Sequence, residues 1–78
     1  MKITERSQLL FVAYAKDAAN WGGTPLVGGN VPDTKEDRGN LTHLKKLGLI
    51  TTFVDEGHIW IDFTAAGKKY AAYLGIKI

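Results

Sequence analysis

Apolar and polar positions divide the chain into stretches with the period of a helix and stretches with the period of a strand. Residues 4–20 have the helical period, and Thr4 can cap the first amides. Leu9 and Ala13 fall on the polar side, where they are either a partner surface or ordinary single exposed residues. The apolar stripe that faces the core is predicted to centre on Phe11, Tyr14, Ala15 and Ala18.

Residues 22–31 break the helical pattern with four glycines and Pro25, all of which disfavour a helix. We predict an irregular, glycine-rich connection. Leu26 and Val27 at its centre form either a brief strand or one helical turn that plugs the core. The glycines are not followed by the lysine and hydroxyl of a phosphate-binding loop, so the segment does not fit a nucleotide site.

Residues 34–47 carry the clearest helix signals of the chain. Asp33 or Thr34 can cap the first amides, and Gly48 can end the helix. At the helical period, one side carries Asp37, Leu41, Leu44 and Gly48, and the opposite side carries Lys35, Gly39, Thr42, His43 and Lys46. The first side is predicted to pack on the core and the second to be presented to a partner.

The C-terminal third predicts a β-hairpin and a last helix. Residues 49–54 and 58–63 alternate apolar and polar positions around the turn at residues 55–57, with Ile59, Ile61 and Phe63 toward the core. A helix over residues 65–74 then begins after Thr64. The core is expected to combine Phe11, Leu41, Leu44, Ile50, Ile61, Phe63 and Tyr70.

This order of elements, in a chain of 78 residues, predicts a single small α+β domain spanning residues 1–78. Without cysteine, neither disulfides nor a thiolate zinc cluster can stabilise it. No apolar run approaches the roughly 20 residues of a membrane span, and residues 1–7 are too charged and too short for a signal peptide. We therefore expect a cytoplasmic protein without a membrane partner. The formal charge of +2 permits an anionic partner without requiring one.

Two blocks of sequence resemble winged helix-turn-helix proteins, in particular DNA-binding domains of the multiple-antibiotic-resistance regulator type. They are NLTHLKKLGLI at residues 40–50 and FTAAGKKYAAYL at residues 63–74. In that family, L-x-x-L-x-x-x-G-L-I closes the recognition helix and enters the wing, and T-x-x-G begins the following helix. The residues that match are Leu41, Leu44, Gly48, Leu49 and Ile50 in the first pattern, and Thr64 and Gly67 in the second.

The resemblance implies a winged-helix transcriptional regulator that reads duplex DNA with the helix 34–47 in the major groove. Lys35 and Lys46 are then expected to contact phosphates or guanine edges, and Arg38 to bind guanine or phosphate through two hydrogen bonds. The expected base-reading residues are Asn40, Thr42 and His43, and Gly39 would allow the closest approach. The alternative for each charged residue is an ordinary solvated helix face.

Two features depart from the family and favour another class of partner. The glycine-rich connection replaces the supporting helix of a helix-turn-helix, and Asp55 and Glu56 at the wing tip would repel phosphate. The alternative function is therefore a non-enzymatic protein-interaction module that binds a protein partner or forms a homodimer, with Trp60 and Tyr73 as anchors.

No arrangement of residues predicts catalysis or a cofactor. A nucleophile beside a base, or paired carboxylates around a cleft, cannot be recognised in the sequence. His43 and His58 lie on different predicted elements and have no spacing typical of a metal site. We expect neither an enzyme nor a bound metal.

Overall fold

The computed structural model describes residues 2–78 of the chain. These residues contain three α-helices and a two-stranded antiparallel hairpin. None of these helices has the length and apolar character needed to cross a membrane. The order of elements confirms the predicted α+β class. The elements are α1 at Glu5–Asp17, α2 at Lys35–Lys46, β1 at Ile50–Asp55, β2 at His58–Phe63 and α3 at Ala65–Tyr73.

A threonine in extended backbone begins each of the three helices. Its hydroxyl accepts a hydrogen bond from an amide of the first turn, which would otherwise have no partner within the helix. At α2 this identifies Thr34, and not Asp33, as the cap. The three bonds join the hydroxyl of Thr4 to the amide of Ser7 (3.2 Å), that of Thr34 to Asp37 (3.1 Å) and that of Thr64 to Gly67 (3.0 Å).

The first helix ends three residues earlier than predicted and continues as the 3₁₀ turn Ala18–Trp21. The buried carboxylate of Asp17 lies at this change of helix type. It accepts hydrogen bonds from Asn20 (2.9 Å), from the Trp21 indole (2.9 Å) and from Asn30 (2.8 Å). Because Asn30 is near the far end of the glycine-rich connection, Asp17 ties both ends of that connection together.

The glycine-rich connection supplies a third strand position, which resolves the two alternatives for its apolar centre. Leu26 forms a single-residue antiparallel bridge to β2. The amide of Val27 donates to the carbonyl of Ile59, and the amide of Ile61 donates to the carbonyl of Pro25, each at 2.9 Å. The connection therefore covers the outer edge of β2.

A single core gathers residues from every helix and strand and contains all seven predicted core residues, with Tyr70 at its partly buried border. Phe11 lies among the other aromatic rings, 5.7 Å from the centre of Phe63 in an edge-on arrangement and 5.2 Å from Tyr70. Such aromatic pairs add specific geometry to ordinary apolar burial.

The prediction that Ile59 faces the core is wrong, because the hairpin extends beyond the core. Ile59 is 47% exposed and its cross-strand neighbour Val54 is 71% exposed. On the opposite face, Trp60 is half-buried, since the ring of Trp21 packs against it edge-on at 5.6 Å. The alternation was predicted correctly, but tertiary packing decides which part of each face is covered.

The T-x-x-G pattern holds the start of α3 against the turn between α2 and β1. The Thr64 hydroxyl donates to the carbonyl of Gly48 at 2.6 Å, and the Thr64 amide donates to the carbonyl of Leu49 at 3.2 Å. At Gly67 the helix passes so close to Leu49 that a Cβ atom would overlap the Leu49 carbonyl group. Both residues of the pattern therefore have a structural role in this chain.

Candidate nucleic-acid interface

The two faces of α2 differ in burial as the apolar pattern predicts. Leu41 and Leu44 are buried in the core, and Asp37 is half-buried beside α1. The opposite side presents side chains to solvent, and four of them are basic. These four cations are Lys35, Arg38, Lys45 and Lys46.

A groove separates this helix from the hairpin. Arg38, Thr42 and Lys45 line its α2 side, because residues four and seven positions apart lie on one stripe of a helix. Thr52 and Ile59 line its hairpin side. The groove has a volume of about 380 Å³, and its remaining lining residues are Val27, Asp33 and Leu41. It thus has an apolar floor and a partly basic wall.

Arg38 is held at the edge of the groove by Asp33. Its guanidinium Nε and Nη2 atoms each lie 3.4 Å from a carboxylate oxygen of Asp33. The Arg38 side chain remains 71% exposed, so the pair is screened by water and contributes little to stability. An arginine held in this way stays accessible to a stronger anionic partner such as a phosphate.

Lys35, Gly39 and Lys46 lie beside the groove on the same exposed side of α2. Gly39 has ordinary helical backbone, and a Cβ atom there would meet no other atom within 4 Å. Thr42 uses its hydroxyl to donate to the carbonyl of Arg38 at 3.0 Å. That bond leaves the hydroxyl oxygen able to accept from a ligand.

The structure places Asn40 apart from this exposed side. The Asn40 amide oxygen accepts from the hydroxyl of Ser7 on α1 at 3.1 Å, and its nitrogen donates to Asp37 at 3.2 Å. The oxygen therefore joins α2 to α1, and the nitrogen is used by a bond within α2. The expectation that Asn40 reads bases therefore does not fit its position.

His43 is only partly on the exposed side. The residue is half-buried, and its Nε2 atom is covered by protein without a hydrogen-bond partner. That nitrogen cannot reach a base edge in this conformation. The helical period placed His43 on the presented side, but packing in the fold turns its side chain inward.

Lys45 lines the groove but was not among the residues predicted from the sequence to contact DNA. Its spacing from Arg38 and Thr42 was the available signal, since the three positions share a stripe. The groove itself exists only because the hairpin lies opposite that stripe in the fold.

The hairpin tip is acidic and exposed. Asp55 ends β1, and the loop consists of Glu56 and Gly57. Both loop residues have positive φ, 52° and 78°, as a type I′ hairpin turn requires. The two carboxylates of Asp55 and Glu56 are therefore exposed at the end of the hairpin.

Within residues 2–78, no three histidine, aspartate or glutamate side chains converge in a way that could hold a metal ion. No family model, curated protein or solved structure matches this chain.

Proposed function

We propose that the protein binds duplex DNA as a winged-helix-like regulator, with the exposed side of α2 in the major groove. The observation that carries this proposal is the combination of four exposed cations on one side of a helix whose other side is docked in the core. A rigidly held helix that presents lysine and arginine fits the width and the charge of the major groove.

The contacts divide by chemistry. Lys35, Lys45 and Lys46 neutralise phosphates, which position the helix without reading sequence. Arg38 leaves Asp33 to bind a phosphate or the edge of a guanine through two hydrogen bonds. Thr42 and Gly39 lie nearest to the bases. Asn40 and His43 are not included, because one is bonded within the fold and the other is turned inward.

The hairpin contributes through its base and not through its tip. Lys45 and Thr52 face each other across the groove, where a phosphate backbone can pass between helix and hairpin. Asp55 and Glu56 at the tip would repel the same backbone. We therefore expect a DNA path that runs along α2 and leaves the tip in solvent.

Gly39 provides the test, because a side chain there would separate α2 from the bases without touching the core. Gly39→Glu should abolish binding to mixed genomic duplex fragments, whereas Gly39→Ala should keep binding within a few-fold. Fluorescence anisotropy at about 50 and 200 mM salt measures both, because phosphate binding weakens steeply over that range.

Two control variants, Ala72→Glu and Lys16→Ala, distinguish the effect of a position on α2 from the effect of the change in charge. Ala72→Glu adds the same charge at an exposed position of α3 and should keep most of the binding. Lys45→Ala should weaken binding to all sequences and reduce the salt slope by about one unit, while Lys16→Ala on α1 should change little. Binding that is absent in the parent protein at low salt, or unaffected by Gly39→Glu, would exclude α2 as a DNA-reading helix.

A second candidate is a protein-interaction module, which exposed apolar residues favour. Tyr73 is 83% exposed and stacks on Tyr70 beside an open groove of about 410 Å³. The other residues of that groove are Leu47, Leu49, Ala66 and Lys69. An apolar protein interface would keep its affinity as salt rises, which distinguishes it from phosphate binding.

A further inference from the structure

The two edges of the hairpin differ. The connection covers the β2 edge, where Ile59 and Ile61 exchange hydrogen bonds with Pro25 and Val27. Backbone groups alternate in direction along an antiparallel strand. The other residues of β2, at positions 58, 60 and 62, therefore bond to β1. Their partners on β1 are Thr51, Phe53 and Asp55. By the same alternation, Thr52 and Val54 point their amides and carbonyls away from the sheet.

The outward groups of Thr52 and Val54 have no partner among residues 2–78. Natural edge strands are usually protected by lysine, proline or a bulge. Residues 51–54 have none of these and carry no charge. Phe53 is 42% exposed and Val54 71% exposed. The strand β1 is therefore an open edge with apolar side chains beside it.

We propose that a second copy of this chain pairs with β1, strand to strand and antiparallel, about a two-fold axis at Phe53. Thr52 of each copy then faces Val54 of the other, and each pair exchanges two backbone hydrogen bonds, about four in all. The two Phe53 side chains meet directly across the axis. The result is a continuous sheet through both molecules, and it does not depend on DNA binding.

The sequence of β1 makes this pairing self-complementary, which argues for a second copy as the occupant. An aromatic pair across neighbouring strands stabilises a sheet, and Phe53 facing Phe53 supplies one. Thr52 and Val54, which face each other, are both β-branched residues that favour strands. Asp55 faces Thr51 of the other copy, so like charges do not oppose each other. A two-fold interface requires this kind of match, in which one patch complements itself.

Exposure selects the axis at Phe53 over the one at Thr52. An axis at Thr52 would pair Val54 with Ile50, which is only 2% exposed and is part of the core. An axis at Phe53 uses only residues at the open part of the strand. Because this part is short, we expect a weak dimer, with a dissociation constant on the order of 10⁻⁴ M.

Sedimentation equilibrium over a range of protein concentration tests the pairing. Val54→Pro removes an outward amide that β2 does not use, so the hairpin should tolerate it as an edge strand does. The change removes about two of the four proposed bonds and should weaken dimerisation by about tenfold or more. Val54→Thr keeps the amide and the branched shape and should dimerise within about threefold of the parent.

Single cysteines test the position of the axis, because the chain has no cysteine of its own. In the proposed pairing the two Cα atoms at residue 53 lie about 4.5 Å apart, within reach of a disulfide. Those at residue 55 lie about 13 Å apart, beyond reach. Under a rapid oxidant, Phe53→Cys should form a disulfide-linked dimer much faster than Asp55→Cys, although both residues are exposed on the same face.

Three results would overturn the proposal. The parent protein could remain monomeric at about 1 mM, in which case the edge is free for a different strand. Folded Val54→Pro protein, verified by circular dichroism, could dimerise as well as Val54→Thr. The two cysteine variants could cross-link at equal rates, which would place the contact elsewhere.

Discussion

At the scale of single residues, two glycines on helices have opposite roles. Gly67 allows α3 to approach the backbone of Leu49, while Gly39 lies in open space on the exposed side of α2. The first is required by close packing and the second is a poor helix former that the fold does not need. The matched pattern residue Gly67 therefore reports on the fold and not on a ligand.

The same substitution at both glycines tests this difference. Gly67→Ala should lower the free energy of unfolding by at least about 2 kcal/mol, because the methyl group collides with a backbone carbonyl that cannot rotate away. Gly39→Ala should raise it by about 0.5–1 kcal/mol. Urea unfolding followed by circular dichroism measures both. Equal effects of the two changes would contradict the close approach of α3 to Leu49.

At the scale of elements, the carboxylate of Asp17 ties together the two ends of the glycine-rich connection. Burial raises the pKa of Asp17, but the bonds from Asn20, Asn30 and Trp21 together outweigh it and leave the pKa below its ordinary value. A carboxyl whose pKa is lowered on folding stabilises the native state above its unfolded pKa of about 3.9. That contribution is lost as the pH falls through the lower, folded value.

We therefore expect Asp17→Asn to be less stable than the parent at pH 7, by about 1–3 kcal/mol, because an amide cannot accept from all three donors. The difference should shrink as the pH falls below about 4. Urea unfolding at several pH values measures it, with Asp62→Asn as an exposed control. A difference that is the same at pH 3 and pH 7 would mean that Asp17 does not tie the connection in its charged form.

At the scale of the whole molecule, one core joins all elements, so the domain should unfold as a unit. Leu44→Ala should lower the free energy of unfolding by about 2–5 kcal/mol, a large part of what so small a domain has. Tryptophan fluorescence reports on the contact between Trp21 and Trp60, and far-ultraviolet circular dichroism reports on the helices. The two transitions should coincide and shift together.

A matched change on the exposed side of α2 controls this experiment. Thr42→Ala also shortens a side chain of α2, but at an exposed position, and should leave the midpoint nearly unchanged. A Leu44→Ala variant with the stability of the parent would show that α2 is not packed on the core. Separate fluorescence and circular dichroism transitions would show that the connection and the helices unfold independently.

The sequence by itself determined the elements, because caps and periods act over a few neighbouring residues. Thr34, Thr64 and Gly48 mark helix boundaries through local hydrogen bonds and backbone geometry. The alternation of β2 and the stripe of α2 likewise follow from the period of each element. These features placed the helices, the hairpin and all seven predicted core residues with boundaries shifted by up to three residues.

Only the tertiary structure decided what each exposed side faces, because that depends on residues far apart in the chain. Asn40 bonds to Ser7, His43 turns inward, and Lys45 becomes part of a groove when the hairpin lies opposite α2. The connection covers one edge of the hairpin and leaves the other open. A local pattern gives the direction of a side chain around its own helix or strand, while packing between distant elements decides whether solvent, protein or a partner meets it.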